Sequence, residues 1–488
     1  MKLLRHPRFF WVICGFLALQ ALWIALSNRY PMAFDEDFHF GIIKIYSHHL
    51  SPFLYGQPAG ADSFGPVARD PSYLYHYLMS FPYRLIAAIT NSQSIQVIFL
   101  RLINIALFVG DLWLIRRVML RIAAPITAIN ASLLVFVLIP VVPMLAGQIN
   151  YDNLFIGVIA AAILLTERFI YGLEKRRFDV LALLLLAAAV LLGSLVKYAF
   201  LPIALVLGLS VVWNLIRYWR RSTKLLLPAR PLLIGGALLV VIASGIFSQR
   251  YLVNVARYGT PLPDCAKVLT IKQCSRYGPW NRDYNLKLAK ADSDKDASLT
   301  EFTGKWFYGM WMRLYFTLDG PRSDFQTRGP LPVPALGGIA IAATGLLVVV
   351  IGGRKLLRAY DRRLVATVVL VAGAYIAVLF LDNFAAFRRT GQPVAINGRY
   401  LLPFLPYLGL LAIMAGREVL HSKTRLAYVL AGLLLFSQLY GGGAMTFILR
   451  SEDGWYWQNR AVVDTNHAIK IVFRRLTPGY NNTIEFLR

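Results

Sequence analysis

The sequence predicts an all-α polytopic membrane protein with about 11 transmembrane helices, its N-terminus in the cytoplasm and its C-terminus outside. Three observations predict it. The 488 residues are 57% hydrophobic and only 16% charged, with a mean hydropathy of +0.55; soluble domains are roughly 45–50% apolar and about 25% charged. Apolar runs recur along the chain near the ~20 residues that a spanning helix needs. Lys and Arg crowd into alternate connecting segments, as the positive-inside rule requires.

The first run covers 9–28. It is too long for a signal peptide, no small-residue cleavage site follows it, and Arg29, Tyr30 and Pro31 close it, so it reads as a span. Further runs fall at about 97–115, 125–146, 151–167, 180–195, 199–216, 231–249, 333–352, 364–381, 400–416 and 426–442. With Lys2, Arg5 and Arg8 inside, every second loop is basic: Arg116, Arg117 and Arg121; Arg168 and 175–177; Arg217 through Arg230; Arg354 through Arg363; Arg417, Lys423 and Arg425. That register leaves two long outer segments, about 29–96 and 250–332, within a membrane module of residues 1–442. A tail, 443–488, is also outside.

The formal charge of +26 would suggest nucleic acid in a soluble chain. Here the expected cytoplasmic segments hold 23 basic and five acidic residues, a net +18 of the +26, so most of the excess belongs to topology. The smaller surplus outside bears on function. No Gly-rich phosphate loop or nucleotide fingerprint is present, which leaves ATP-driven transport without support. Cys265 and Cys274 share the second outer segment and can close a small disulfide loop in an oxidising compartment.

The most informative stretch is Phe34-Asp35-Glu36-Asp37-Phe38-His39-Phe40, directly after the first span. Phe38, Ile42, Ile45, Tyr46 and His49 then repeat at helical spacing, predicting a juxtamembrane helix in the first outer loop. Acidic residues at a helix start complement its dipole and cap it. A cap needs one carboxylate, and three are present. The other reading is a general base, or a divalent-cation site built from Asp35, Glu36 and Asp37.

Here the chain resembles the GT-C glycosyltransferases, integral membrane enzymes that use polyprenyl-phosphate sugars. Asp35, Glu36, His39 and Phe40 are similar to a D-E-x-x-H-F pattern of a bacterial branch of that group. Asp70-Pro71-Ser72-Tyr73-Leu74-Tyr75 is similar to its Pro/Tyr-rich stretch before the second span. Gly398-Arg399-Tyr400-Leu401-Leu402-Pro403 resembles its G-R-Y-x-L-P motif. The ordered set covers about residues 9–416 and leaves out the tail.

The resemblance implies a GT-C-like fold in a bacterial cytoplasmic membrane, with the site on its outer face. It implies a polyprenyl-phosphate-linked sugar as donor and Asp35 as the base that deprotonates an acceptor hydroxyl, with inversion at the anomeric carbon. The acceptor, whether glycan, lipid or protein, is not readable. Glu36 is expected beside Asp35 in catalysis. Asp37 and His39 are expected at the substrate.

Other outer-face residues join this set. Asp152, in Gln148-Ile149-Asn150-Tyr151-Asp152-Asn153, is either a second acidic site residue or a turn and cap. Lys197 sits in apolar surroundings and either meets a lipid phosphate or snorkels. Arg399 suits bidentate phosphate binding, with Tyr400 beside it as interfacial anchor or substrate contact. Asp111 is read as structural, pairing with a basic residue on a neighbouring span. His48, His49 and His76 lack ligand spacing and read as interfacial. Trp306, Phe307, Tyr308 and Trp311, like Trp455, Tyr456 and Trp457 in the tail, either stack on sugars or dock at the interface. The competing functions are a transporter or lipid flippase and a surface-polysaccharide polymerase. A transporter would place its charges near the bilayer midplane, often in inverted repeats. A polymerase would need no Asp-Glu motif in the first loop.

Overall fold

The computed structural model describes residues 3–32, 35–218, 224–291, 298–315, 333–420, 432–433 and 435–478. Those residues are overwhelmingly helical. Seven helices are long and apolar enough to cross a membrane, which makes the chain an integral membrane protein: Phe9–Ser27, Gln93–Arg121, Asp152–Glu174, Tyr198–Tyr218, Arg230–Tyr258, Gly337–Ala359 and Arg362–Thr390. Such helices suit the bilayer because each satisfies its own backbone hydrogen bonds.

The elements before the second outer segment are α1 (Phe9–Ser27), α2 (Glu36–Ser47), α3 (Leu74–Ile89), α4 (Gln93–Arg121), α5 (Ile126–Val137), α6 (Val141–Ala146), α7 (Asp152–Glu174), α8 (Val180–Val196), α9 (Leu201–Tyr218) and α10 (Arg230–Phe247). The run expected at 125–146 is broken into α5 and α6. Pro140 precedes α6 and Pro143 lies within it, and proline supplies no amide to carry a helix through. The run expected at 400–416 opens instead as a 3-10 turn, Gly398–Leu401, and becomes α-helical only at Leu405–Val419, with Pro406 in the first turn. The run at 231–249 extends through a π turn, Ser248–Leu252, to Tyr258, where left-handed Gly259 ends it. Residues 426–431 and 434 of the run at 426–442 lie outside the described residues, as do Asp292, Asp294, Lys295 and Asp296 of the second outer segment.

The helices alternate in direction. One end of the bundle gathers the basic connections, where Arg168 pairs with Asp179 at 2.8 Å and Arg363 pairs with Glu174. A two-stranded parallel ribbon, Arg177–Asp179 with Lys224–Leu226, joins two of those connections. The opposite end carries Asp35, Asp152 and Lys197. Within the bundle α4 packs on α7, α7 on α8 and α8 on α10, while Val333–Ala359 packs on Leu405–Val419. Small residues permit the close approaches, as expected where lipid offers no hydrophobic driving force between helices. A Cβ on Gly157 of α7 would lie 2.1 Å from Asp111 Oδ1 on α4. Asp111 is buried, and no salt bridge joins it to a basic residue among the described residues; the expected pairing on a neighbouring span is replaced by this contact with glycine.

The juxtamembrane helix expected after α1 is α2, and it lies against α3. In the second outer segment Cys265 and Cys274 are disulfide-bonded. Helix Leu299–Tyr315 then buries Phe302, Trp306 and Met310 against Phe387 and Ile396. Trp306 Nε1 donates to Asn383 Oδ1 at 3.0 Å, so this tryptophan is core, whereas Phe307 and Tyr308 are exposed. The tail folds back on α1. Arg29 N donates to the Trp455 carbonyl at 2.8 Å, Trp457 N to the Ser27 carbonyl at 3.0 Å, and Trp23 Nε1 to Asn466 Oδ1 at 3.1 Å.

Candidate active site

The site is built where the chain turns from α1 into α2. Asp35 stands at the N-terminus of α2 with φ 67° and ψ 30°, the left-handed region. That conformation costs an L-residue about 1–2 kcal/mol. Its side chain caps nothing in the helix. It reaches instead across the site, where Arg399 Nη2 donates to Oδ2 at 2.8 Å. The two side chains differ sharply in exposure, 58% for Asp35 and 3% for Arg399. The carboxylate therefore faces the open side and the guanidinium faces the protein.

Arg399 is delivered by the 3-10 turn Gly398–Leu401, whose start is capped by Asn397 Oδ1 accepting from Arg399 N at 3.1 Å. Gly398 lets this turn press against helix Leu299–Tyr315, since a Cβ there would stand 2.2 Å from the Met310 carbonyl oxygen. The glycine of the Gly398-Arg399-Tyr400 motif is thus a packing requirement that sets the height of Arg399.

Behind Arg399 lies Asp152, the first residue of α7. Lys197 Nζ donates to its Oδ1 at 2.6 Å, and Arg399 Nε lies 3.6 Å from its Oδ2. Lys197 is buried, with its ammonium 4.4 Å from the Tyr400 ring centroid and 4.7 Å from that of Tyr151. Snorkelling is thereby corrected: the ammonium turns inward, where a carboxylate and two aromatic faces replace water. The expected helix cap at Asp152 is also absent, because its carboxylate is taken by the two cations.

Glu36 does not share the open face with Asp35. It is fully buried. Arg101 of α4 holds it bidentately, Nε to Oε1 at 2.8 Å and Nη2 to Oε2 at 2.7 Å, and the amides of Met32 and Ile149 donate to it at 2.8 and 3.2 Å. The expectation of Glu36 as a catalytic partner is corrected to a scaffold group with its oxygens fully engaged. Asp37 is exposed. The three carboxylates therefore do not converge, and among the described residues no three His, Cys, Asp or Glu side chains could hold a metal ion. The geometry does not fit the divalent-cation site entertained for them.

His39 is buried one turn into α2, where its amide donates to the Asp35 carbonyl at 3.0 Å. Its Nδ1 lies 2.9 Å from Nε2 of His76 on α3, and the rings stack. His76 is thus part of the site's floor and not interfacial, whereas His48 and His49 are exposed. Burial pushes His76 down to about 3. His39 is also pushed well down, by burial first and then by His76, Arg399 and Lys197. Both imidazoles are neutral at ordinary pH.

No protein-family model matches the sequence. No curated protein matches it either. Among solved structures the chain is similar to ArnT from Cupriavidus metallidurans bound to undecaprenyl phosphate, at 15% identity and a TM-score of 0.47, over 97% of this chain and 72% of that one. A TM-score below 0.5 leaves residue correspondences undefined, so the chemistry stands on this chain's own side chains.

Several residues at the site escape a reading along the sequence. Arg101 looks like an interruption of an apolar run, and its partner is 65 positions away. Tyr277 follows the disulfide hairpin and lays its ring against Gly65, which is left-handed at φ 75° and would put a Cβ 3.0 Å from that ring. Its ring centroid also lies 6.1 Å from that of Phe38 in α2, which brings the second outer segment against the start of α2, and burial pushes its phenol up. Arg313 of helix Leu299–Tyr315 is pushed down by burial and by the neighbouring charges of Arg399 and Arg282. Arg250, fully buried, donates to Tyr46 Oη at 2.8 Å and also to the Ala68 carbonyl, pinning the first outer segment to the end of α10. None of these has a local spacing that marks it.

Proposed function

We propose that the protein is a glycosyltransferase of the GT-C kind, moving a sugar from a polyprenyl-phosphate carrier to an acceptor hydroxyl at the outer face of a bacterial cytoplasmic membrane. The observation that carries this reading is the convergence of Asp35, Asp152, Lys197 and Arg399, drawn from four segments up to 364 residues apart, at one end of a membrane bundle. Buried ionisable groups are costly in such a chain and are kept for function. Two cations beside a half-exposed carboxylate suit an anionic leaving group next to a general base.

In this reading Asp35 accepts the proton of the acceptor hydroxyl as its oxygen bonds to the anomeric carbon. The bond from that carbon to the phosphate oxygen breaks, and its electron pair leaves on the phosphate. Attack from the face opposite the phosphate inverts the centre. Arg399 binds the leaving phosphate bidentately, Lys197 adds charge from behind, and Tyr400 contacts the substrate beside Lys197. Asp152 holds the two cations in place. His39 lines the floor next to Asp35. Glu36, through Arg101, fixes the start of α2 so that Asp35 projects. Asp37, exposed at the mouth, meets the acceptor. Residues 1–442 form the transferase module and the tail braces α1.

The test is transfer of sugar from a polyprenyl-phosphate donor by the purified protein and its Asp35→Asn variant. A loss of at least a hundredfold is expected, in line with removal of a general base. Wild-type rates in the variant would refute the mechanism. Movement of lipid-linked sugar across the bilayer with no covalent product would favour the flippase.

A further inference from the structure

The ion pair that joins Arg399 to Asp35 engages the very carboxylate that must take a proton. Resting on the glycosyl-transfer reading, we propose that Arg399 is a donor-sensing latch on Asp35: the phosphate of the lipid donor takes the guanidinium, the carboxylate is released, and acceptor deprotonation waits for the donor. Three observations support the latch. The pair is asymmetric, with Arg399 buried and Asp35 open, so an anion arriving from the open side meets the carboxylate and guanidinium together. Arg399 does not depend on Asp35 for charge balance, because Asp152 lies 3.6 Å from its Nε and stays behind when Asp35 leaves. Asp152 in turn keeps Lys197 at 2.6 Å, so the exchange leaves no buried charge uncompensated.

The local backbone favours release as well. Asp35 is held in left-handed geometry and caps no amide of α2. Its carboxylate accepts from Arg399, and losing that contact breaks no hydrogen bond of the helix. Phosphate competes well for such a guanidinium, since it can accept two parallel bonds from the fork, where Asp35 Oδ2 accepts from Nη2. The consequence is an ordered reaction. With the donor absent the base is engaged, and neither water nor acceptor is activated. With the donor bound, the base is freed beside the anomeric carbon.

The test reads Asp35 directly, without turnover. A carboxylate held by a guanidinium reacts slowly with carbodiimide and an amine, and a released one reacts faster. Purified full-length protein is labelled alone, with a sugar-free polyprenyl monophosphate, or with inorganic phosphate at equal concentration, and amidation of Asp35 is followed by mass spectrometry. Exposed Asp37 serves as the internal control. Asp35 labelling is expected to rise at least fivefold with the lipid phosphate and not with inorganic phosphate, while Asp37 is unchanged. Arg399→Gln is expected to label fast with no ligand; Arg399→Lys, which keeps a cation, is expected to stay slow and reports that the site is folded. Lipid phosphate that binds, seen by its phosphorus resonance, without changing Asp35 labelling would overturn the latch and leave the transferase reading standing. Lipid phosphate that does not bind would overturn both.

Discussion

Arg101 and Glu36 form a two-pronged ion pair in which both side chains are fully buried. Arg101 also donates to the carbonyls of Ala25 and Asn28 at 2.9 and 2.6 Å, at the end of α1. One guanidinium thus fastens the last turn of α1 to the first turn of α2, and the residue between them that projects is Asp35. The tail closes over the pair, with the Trp457 ring centroid 5.7 Å from the guanidinium.

Removing one partner leaves the other charged and buried, which costs about 3–5 kcal/mol. Glu36→Gln is therefore expected to lower thermal stability in detergent by that order, and Arg101→Leu to do the same. Asp35→Asn is expected to leave the melting temperature within a few degrees, because its carboxylate is half-exposed. A melting curve for the three variants separates scaffold from site. Equal losses in all of them would contradict the division of labour between adjacent carboxylates.

Lys197 and Asp152 predict a coupling. Each single substitution, Lys197→Met or Asp152→Leu, strands a buried charge, so each is expected to destabilise strongly. The double substitution removes both and is expected to recover part of the loss, by about 1–3 kcal/mol relative to additivity. Arg399 then lacks its Asp152 neighbour but retains Asp35. A double-mutant cycle on unfolding midpoints measures this, and strict additivity would mean the contact carries no energy.

How far the sequence is legible follows from what kind of signal each residue leaves. Asp35, Asp152, Lys197 and Arg399 stand out because charge in apolar surroundings is expensive, and that cost is visible in one dimension. Their mutual contacts are not visible, since each pair is closed by tertiary packing. Glu36 and Asp35 look alike in the sequence; only the position of Arg101, one helix away, assigns one to the interior and one to the open face. The break at Pro140 was available in the sequence, but hydropathy alone reads across it. His76 has no helical spacing to His39, because the two lie on different helices that pack together.

The disulfide predicts a local effect. Cys265 and Cys274 are nine positions apart and close the hairpin that ends at Tyr277. The hairpin docks on the first outer segment, where Asp62 accepts from Arg276 Nη1 at 3.2 Å. Cys265→Ser with Cys274→Ser is expected to expose residues 265–277 to limited proteolysis while the bundle stays resistant. Gly65→Ala is expected to do the same, since it adds left-handed strain and a collision with Tyr277. Unchanged digestion in both variants would show that the hairpin is held by other contacts.

The buried histidines predict the pH response. His76 is held down to about 3 by burial, against an ordinary value near 6.5 when unfolded. Between those values the unfolded chain binds the proton and the folded chain does not. Stability is therefore fully present above about pH 6.5 and falls as the pH drops toward 3. For His76 the slope approaches about 1.4 kcal/mol per pH unit well below its unfolded value. His39 is shifted in the same direction and adds to the loss. His76→Phe is expected to flatten the acid limb between pH 6 and 4 and to leave the limb above pH 7 unchanged, as read from melting temperatures across that range. A variant that loses stability on acidification as steeply as the wild type would place the acid sensitivity outside this histidine.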